Sequence, residues 1–271
     1  MLKTRIITAV FLLVGLLGAL FFLPDLGWVI LCALICSVAA WEWGGLAGWP
    51  GKNRIVYALV LGLLSFGFVT YFPAGVPSEL GCFPVMFWSL IVPFWLKYKW
   101  SLRWWNAILV GIIVLLPPML VFAALRFPHP MVVLAIAAPV WVADIAAYFS
   151  GRAFGRTKLA PNISPGKTWA GAVGAAIGVT IYCFAVFMVM RDRIHVSTLV
   201  AIPAILGLGI GLTALSILGD LFESLLKRQA GVKDSSHLLP GHGGVLDRID
   251  SLTSTLPVWP VLISISATFL R

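Results

Sequence analysis

The feature that most limits what this chain can become is a succession of about nine apolar stretches, each near the roughly 20 residues a helix needs to cross a bilayer. They run Ile6–Leu23, Leu26–Trp43, Ile55–Phe72, Leu80–Leu96, Trp105–Leu125, Met131–Phe149, Trp169–Met190, Thr198–Gly219 and Leu252–Leu270. Inside a bilayer no water satisfies the backbone, so such stretches must be helical, and the expected fold class is an all-α polytopic membrane protein. The composition agrees: 61% of the residues are hydrophobic and 11% charged, against roughly 45–50% apolar usage in soluble domains. Pro84 and Pro93 in the fourth stretch and Pro117-Pro118 in the fifth remove backbone donors and make these two the weakest spans.

The net charge of +9 would suggest nucleic acid in a soluble chain, but in a membrane protein the placement of the cations carries the meaning. With the N-terminus in the cytosol and the C-terminus outside, fifteen Lys and Arg residues fall on the cytosolic side and four outside (Arg126, Arg191, Arg193 and Arg271). That asymmetry supports the count and the orientation and excludes a nucleic-acid partner. The layout divides into residues 1–130, with about five spans, and a C-terminal region 131–271 with cytosolic loops at 150–168 and 219–251. Trp28, Trp41, Trp43, Trp49, Trp100, Trp104, Trp105 and Trp169 lie near span ends and read as interfacial anchors.

Other polar or reactive residues have plain readings. Cys32, Cys36, Cys82 and Cys183 sit in apolar runs without CxxC spacing, as small buried hydrophobes do. The basic N-terminus resembles a signal peptide, but its long apolar run lacks a small-x-small cleavage site and reads as a retained first span. Glu42, between Trp41 and Trp43, suits an interfacial residue or a buried partner for a basic loop; His129 and His195 read as solvated. Gly174/Gly178 and Gly207/Gly211 have GxxxG spacing, which favours close helix packing and a homodimer.

Against this apolar background one stretch, Ser216 to Ser251, holds five of the ten acidic residues and two of the four histidines. Ser216, Asp220, Glu223, Ser224 and Lys227 fall on one face of a helix at about 100° per residue. Further on, Gly241, Gly243 and Gly244 open into a helix start where Asp247 and Asp250 share one side. Two carboxylate pairs, a glycine-rich turn and the cations Lys227, Arg228, Lys233 and Arg248 suit a divalent metal with a polyphosphate. A second polar loop, Ser150 to Thr168, carries Arg152, Arg156, Lys158 and Lys167 and no acid. Its glycines and prolines keep it from being helical throughout. Just before it, Asp144 and Tyr148 lie four apart on the sixth span, and an acid inside a span is a functional candidate.

The run Ser224-Leu225-Leu226-Lys227-Arg228, then Lys233-Asp234, then Pro240-Gly241-His242-Gly243-Gly244-Val245-Leu246-Asp247-Arg248-Ile249-Asp250 resembles the hallmark of phosphatidate cytidylyltransferases, the CDP-diacylglycerol synthases. The resemblance extends to Ser216–Ser224, to Ala143-Asp144 with Tyr148 and Gly151, and to Ser164-Pro165-Gly166-Lys167-Thr168-Trp169. It departs at Ala170, where family members usually carry Glu or Gln. The first 130 residues are similar mainly in hydropathy.

The resemblance implies a reaction of CTP with phosphatidic acid that yields CDP-diacylglycerol and pyrophosphate with Mg²⁺, and it is compatible with a second cation, monovalent or divalent. It implies a bacterial inner-membrane enzyme with its site facing the cytosol, surrounded by membrane lipids. Asp220, Glu223, Asp247 and Asp250 would hold the metal, with Asp220, Asp247, Lys227, Arg248 and Asp144 in the catalytic group. Gly241, His242, Gly243 and Gly244, with Ser224, Arg228, Lys233 and Asp234, would contact the nucleotide, and Lys158 and Lys167 the lipid phosphate. The residues by themselves also leave open a CTP-using polyprenol kinase, which would release CDP. From another class, a secondary transporter would use Asp144 and Asp220 as ion sites.

Overall fold

The computed structural model describes residues 2–72, 77–191 and 197–269. The chain folds as a bundle of helices: α1 (Leu2–Phe22), α2 (Asp25–Leu46), α3 (Gly51–Tyr71), α4 (Ser78–Met86), α5 (Val92–Tyr98), α6 (Trp104–Ala124), α7 (Pro130–Phe154), α8 (Trp169–Met190), α9 (Thr198–Gln229), α10 (Leu246–Thr255) and α11 (Val258–Phe269). Among the described residues, seven helical segments are long and apolar enough to cross a membrane, and Ile6–Phe22 is a shorter apolar helix. The protein is an all-α polytopic membrane protein.

The doubtful prolines are absorbed inside helices. Pro117 and Pro118 lie buried within α6, and a wide π turn, Phe87–Ile91, joins α4 to α5 between Pro84 and Pro93. A π turn accommodates the missing donor by widening the helix locally. The last expected span is instead two helices: α10 ends at Thr255, and α11 begins at Val258 after Pro257. Loop 150–168 also differs from expectation, since α7 runs on to Phe154 and the rest forms a hairpin. In it, β1 (Lys158–Ala160) pairs antiparallel with β2 (Ser164–Thr168), Lys158 opposite Thr168. Thr168 then caps α8 by accepting a hydrogen bond from the Gly171 amide at 3.1 Å.

Small residues set how closely the helices approach. An added Cβ at Gly62 would collide with Ser37, at Gly178 with Ala146 and at Gly209 with Thr180, so α3, α8 and α9 lie unusually near their neighbours. Gly174 and Gly178 therefore serve packing within the chain, against α7, while Gly207 and Gly211 face open space.

Several anchors and cysteines are placed otherwise than their positions suggest. Trp28, Trp43 and Trp49 are buried instead of lying at the lipid interface. The first two donate indole N–H bonds to the carbonyls of Ala123 and Ala107, satisfying a polar atom that would otherwise be costly inside the bundle. Cys82 is exposed, whereas Cys32, Cys36 and Cys183 are buried. Arg126 is buried, pairing with Asp25 at 2.8 Å and donating to the carbonyls of Leu20 and Leu23. His129 is exposed and caps α7 by accepting from the Met131 amide. His195 and Arg193 lie outside the described residues.

Phe222 centres the packing beneath the polar end of the bundle. It is surrounded by Trp43 of α2, Phe87 and Trp88 of the π turn and Trp95 of α5, with ring centroids 5.4–6.3 Å apart. These edge and stacked contacts hold the end of α9 in one orientation. Asp220, Glu223, Ser224 and Lys227 flank Phe222 in sequence and lie on the two turns of α9 around it.

Candidate functional site

The polar face foreseen on α9 forms as a hydrogen-bonded row. Ser224 Oγ donates to Asp220 Oδ1 at 3.1 Å, and Lys227 Nζ donates to Glu223 Oε2 at 2.9 Å. Packed beside it, α10 approaches α9 through hydroxyls. Ser251 Oγ donates to the Ser216 carbonyl at 3.1 Å and Ser254 Oγ to the Leu215 carbonyl at 2.8 Å. Gly219 makes this possible, because a Cβ there would stand 2.6 Å from the Asp250 carbonyl oxygen and from Ser254 Oγ. The two carboxylate pairs are thereby brought together, although they lie on separate helices.

They do not play equal parts. Asp247 is almost wholly committed to the protein itself: Oδ1 accepts from Lys227 Nζ at 2.6 Å, and Oδ2 accepts from Ser235 N, Ser235 Oγ and Gly244 N at 2.7–2.8 Å. Burial works against its charge, but these donors prevail and hold its carboxyl below the usual range. Asp250, by contrast, is pushed up to about 7, first by burial and then by the Asp220 charge. Asp250 also faces Glu223, whose buried Oε1 finds no donor. Carboxylates facing one another in this way require a proton or a cation between them.

Two cavities flank this cluster. The first, of about 390 Å³, lies between α7, the hairpin and α8. Its lining includes the charged side chains of Asp144, Arg152, Lys158 and Lys167 and the alanines Ala143, Ala147, Ala172 and Ala175. Tyr148 also lines it and accepts a hydrogen bond from Arg152 at 3.1 Å. Lys167 reaches out of the hairpin to Asp220 Oδ2 at 2.7 Å. The second cavity, of about 510 Å³, is bounded by Lys233, Asp234, His237, Arg248 and the turn Gly241-His242-Gly243. The turn is closed by the Leu239 amide donating to the Gly243 carbonyl and the His242 amide donating to the Leu239 carbonyl. Gly241 and Gly243 have φ of 76° and 80°, a conformation that side chains with a Cβ rarely adopt. Lys167 of the first cavity is paired with Asp220, and Gly243 of the second lies against Asp247, so each cavity has a residue in contact with the carboxylate cluster.

Most residues singled out from the sequence thus gather at one end of the bundle, with two differences of detail. Arg228 is exposed and lines neither cavity, and Gly244 is buried behind the second cavity, against Glu42 and Ser235. Four participants lacked a sequence signal. Arg152 was one of several loop cations, Ser235 and Ser236 are ordinary loop serines, and Glu42 lies far away in sequence. Glu42 is fully buried, but its partners are hydroxyls and backbone amides of the loop before α10, not basic side chains.

Fold and site together define a membrane-embedded helical bundle that gathers paired carboxylates, cations and a glycine turn at one end. The chain belongs to the cytidylyltransferase family, whose model matches residues 3–266. It is similar to the phosphatidate cytidylyltransferase of Pseudomonas aeruginosa, at 38% identity with 97% of each chain covered, and to that of Haemophilus influenzae, at 36% with 95% of this chain and 96% of the relative covered. The phosphatidate cytidylyltransferase of Thermotoga maritima is 45% identical over 118 residues, covering 44% of this chain and 43% of its own. The protein is a nucleotidyltransferase, which sets the transporter reading aside.

Proposed function

We propose that this enzyme joins CTP to phosphatidic acid, releasing pyrophosphate and leaving CDP-diacylglycerol in the membrane. The observation that carries the reading is that two unlike cavities border one carboxylate cluster, the first through the Lys167–Asp220 ion pair and the second through Gly243, which lies against Asp247. The first is lined by cations together with alanines of α7 and α8, a mixture that suits a lipid whose phosphate is charged and whose tail is not. The second is polar, with a glycine turn whose backbone can approach a triphosphate closely.

Lys158, Lys167 and Arg152 bind the lipid phosphate and orient it toward Asp220. A phosphate monoester has a second pKa near 6 and is largely dianionic at neutral pH, so its oxygen attacks the α-phosphorus without a strong base. The bond from the α-phosphorus to the bridging oxygen breaks, and pyrophosphate carries the negative charge away. Arg248 and Lys233 stabilise that charge from the second cavity. Lys227 neutralises Glu223 and Asp247 and keeps α9 and α10 in register.

Among the described residues, no set of three or more His, Cys, Asp or Glu side chains forms a metal cage by itself. Mg²⁺ does not need one, because it commonly takes one or two carboxylates and completes its shell with substrate phosphates and water. Asp220, Asp250 and Glu223, with its unpartnered Oε1, fit that requirement better than Asp247, whose oxygens are taken. When bound, the metal supplies charge neutralisation at the phosphates.

The enzyme is read as residing in a bacterial inner membrane with its polar end in the cytosol, as the fifteen-to-four division of cations supports. Gly207 and Gly211, open on α9, suit packing of a second copy. The deciding experiment follows phosphorus. CTP labelled at its α-phosphate should transfer label to the lipid, and unlabelled lipid from that reaction beside labelled lipid from γ-labelled CTP would make the protein a kinase.

A further inference from the structure

Glu42 belongs to α2, more than 190 residues from the loop it touches, and its carboxylate is inaccessible to solvent. Oε1 accepts from Ser236 Oγ at 2.6 Å and from the Val245 amide at 3.0 Å. Oε2 accepts from the Leu246 amide at 2.6 Å and from Ser235 Oγ at 3.2 Å. Every partner is a neutral donor in residues 235–246, the segment that contains the glycine turn. Val245 is the N-cap and Leu246 the first residue of α10, and amides at a helix start have no acceptor within their own helix. Glu42 therefore caps α10 from another helix, and its charge also lies at the favourable end of the helix dipole.

Asp247 works from the opposite side of the same loop. Ser235 Oγ is shared between Asp247 Oδ2 and Glu42 Oε2, and the Gly244 amide, next in sequence to the Val245 and Leu246 amides that Glu42 accepts from, donates to Asp247 Oδ2. The loop is thus held between one carboxylate of its own helix and one of α2. Gly244 is required by that geometry, since a Cβ would collide with Glu42 and Ser235. The rest of the segment, Leu239 to Gly243, has few other ties. Its internal turn bonds and one hydrogen bond from Thr8 to the Pro240 carbonyl are the polar contacts that hold it.

We infer that Glu42 is a positioning residue for the nucleotide: by clamping residues 235–246 it holds the glycine turn and Arg248 in the geometry that receives the triphosphate, without touching substrate itself. This rests on the reading of the second cavity as the CTP site. Each Glu42 oxygen accepts from one backbone amide and one serine hydroxyl, so Glu42→Gln, which keeps the size but turns one oxygen into a donor, leaves one of the Val245 and Leu246 amides without its acceptor, while the serine hydroxyl can reverse and accept.

The test uses the purified full chain in detergent. Glu42→Gln should speed hydrogen exchange at the Val245 or the Leu246 amide by at least about tenfold. It should raise KM for CTP at least about fivefold while KM for phosphatidic acid stays within about twofold. Unchanged exchange and unchanged KM for CTP would overturn the inference, as would an equal rise in both KM values, the signature of a general disturbance. If Glu42→Gln does not accumulate in folded form, Ser236→Ala, which removes one donor, is read by the same measurements with the same deciding outcomes. If the wild type makes no CDP-diacylglycerol, the proposed reaction fails; the exchange measurement then decides the clamp by itself.

Discussion

Lys167 on the hairpin and Asp220 on α9 form an ion pair of 2.7 Å, both side chains less than a third exposed. It links the first cavity to the carboxylate cluster. A lysine so placed does two things, drawing a lipid phosphate inward and offsetting the charge of Asp220. Lys167→Ala should therefore raise KM for phosphatidic acid by about tenfold or more and KM for CTP much less, because the contact is lost from one ground-state substrate. Steady-state kinetics in mixed micelles with each substrate varied in turn checks this. An equal change in both KM values would place Lys167 in the nucleotide site instead.

The two aspartates at the heart of the cluster should fail in different ways. Asp220→Asn removes a charge that only Lys167 and Ser224 neutralise or contact, so turnover should fall at least about 10²-fold with little loss of stability. Asp247→Asn breaks a buried pair with Lys227 and weakens the hold on Ser235 and Gly244, which should cost about 3–5 kcal/mol. Mg²⁺ added to chelator-treated protein should raise the melting temperature of the wild type and of Asp247→Asn, but not that of Asp220→Asn. Thermal unfolding with and without the metal measures all three, and a metal response retained in Asp220→Asn would remove it from the ligand set.

Gly219→Ala adds one methyl group where α9 meets α10, 2.6 Å from the Asp250 carbonyl. Neither neighbour is a flexible side-chain tip, so the helices must separate, at about 1–3 kcal/mol. Activity should fall with stability, since separation moves Asp220 away from Asp250. Gly207→Ala, which meets open space in this chain, should leave the melting temperature nearly unchanged. Differential scanning of the two variants side by side is sufficient.

Orientation is checked by labelling single cysteines placed at Val232 and at Ser197, both exposed and at opposite ends of α9. In intact cells an impermeant maleimide should modify Ser197→Cys and spare Val232→Cys until the membrane is opened. The reverse pattern would invert the topology.

Much of this protein was legible in its linear sequence because a bilayer leaves few choices. Long apolar stretches have to be helices, so α2, α3, α6, α7, α8 and α9 were found close to where hydropathy puts them. The α9 face was equally legible, because residues three and four apart on a helix must be neighbours whatever surrounds them. Buried tryptophans were not. Trp28 and Trp43 sit near span ends as interfacial anchors do, and only the positions of the Ala123 and Ala107 carbonyls make them core residues. The break between α10 and α11 and the hairpin at 158–168 likewise depend on tertiary contacts that outweigh local pattern.

The sequence by itself determined the class of protein, the helical face bearing Asp220, Glu223 and Lys227, and the glycine turn beside Asp247 and Asp250, because each follows from local periodicity or backbone freedom. Only the tertiary structure decided which carboxylates remain available and which are consumed. Asp247 and Glu42 are taken by the loop, while Asp220 pairs with Lys167 of the first cavity and Glu223 keeps a buried Oε1 without a donor. A carboxylate's role depends on the donors that reach it, and here those donors come from segments as far apart as α2 and α10, whose meeting no local pattern records.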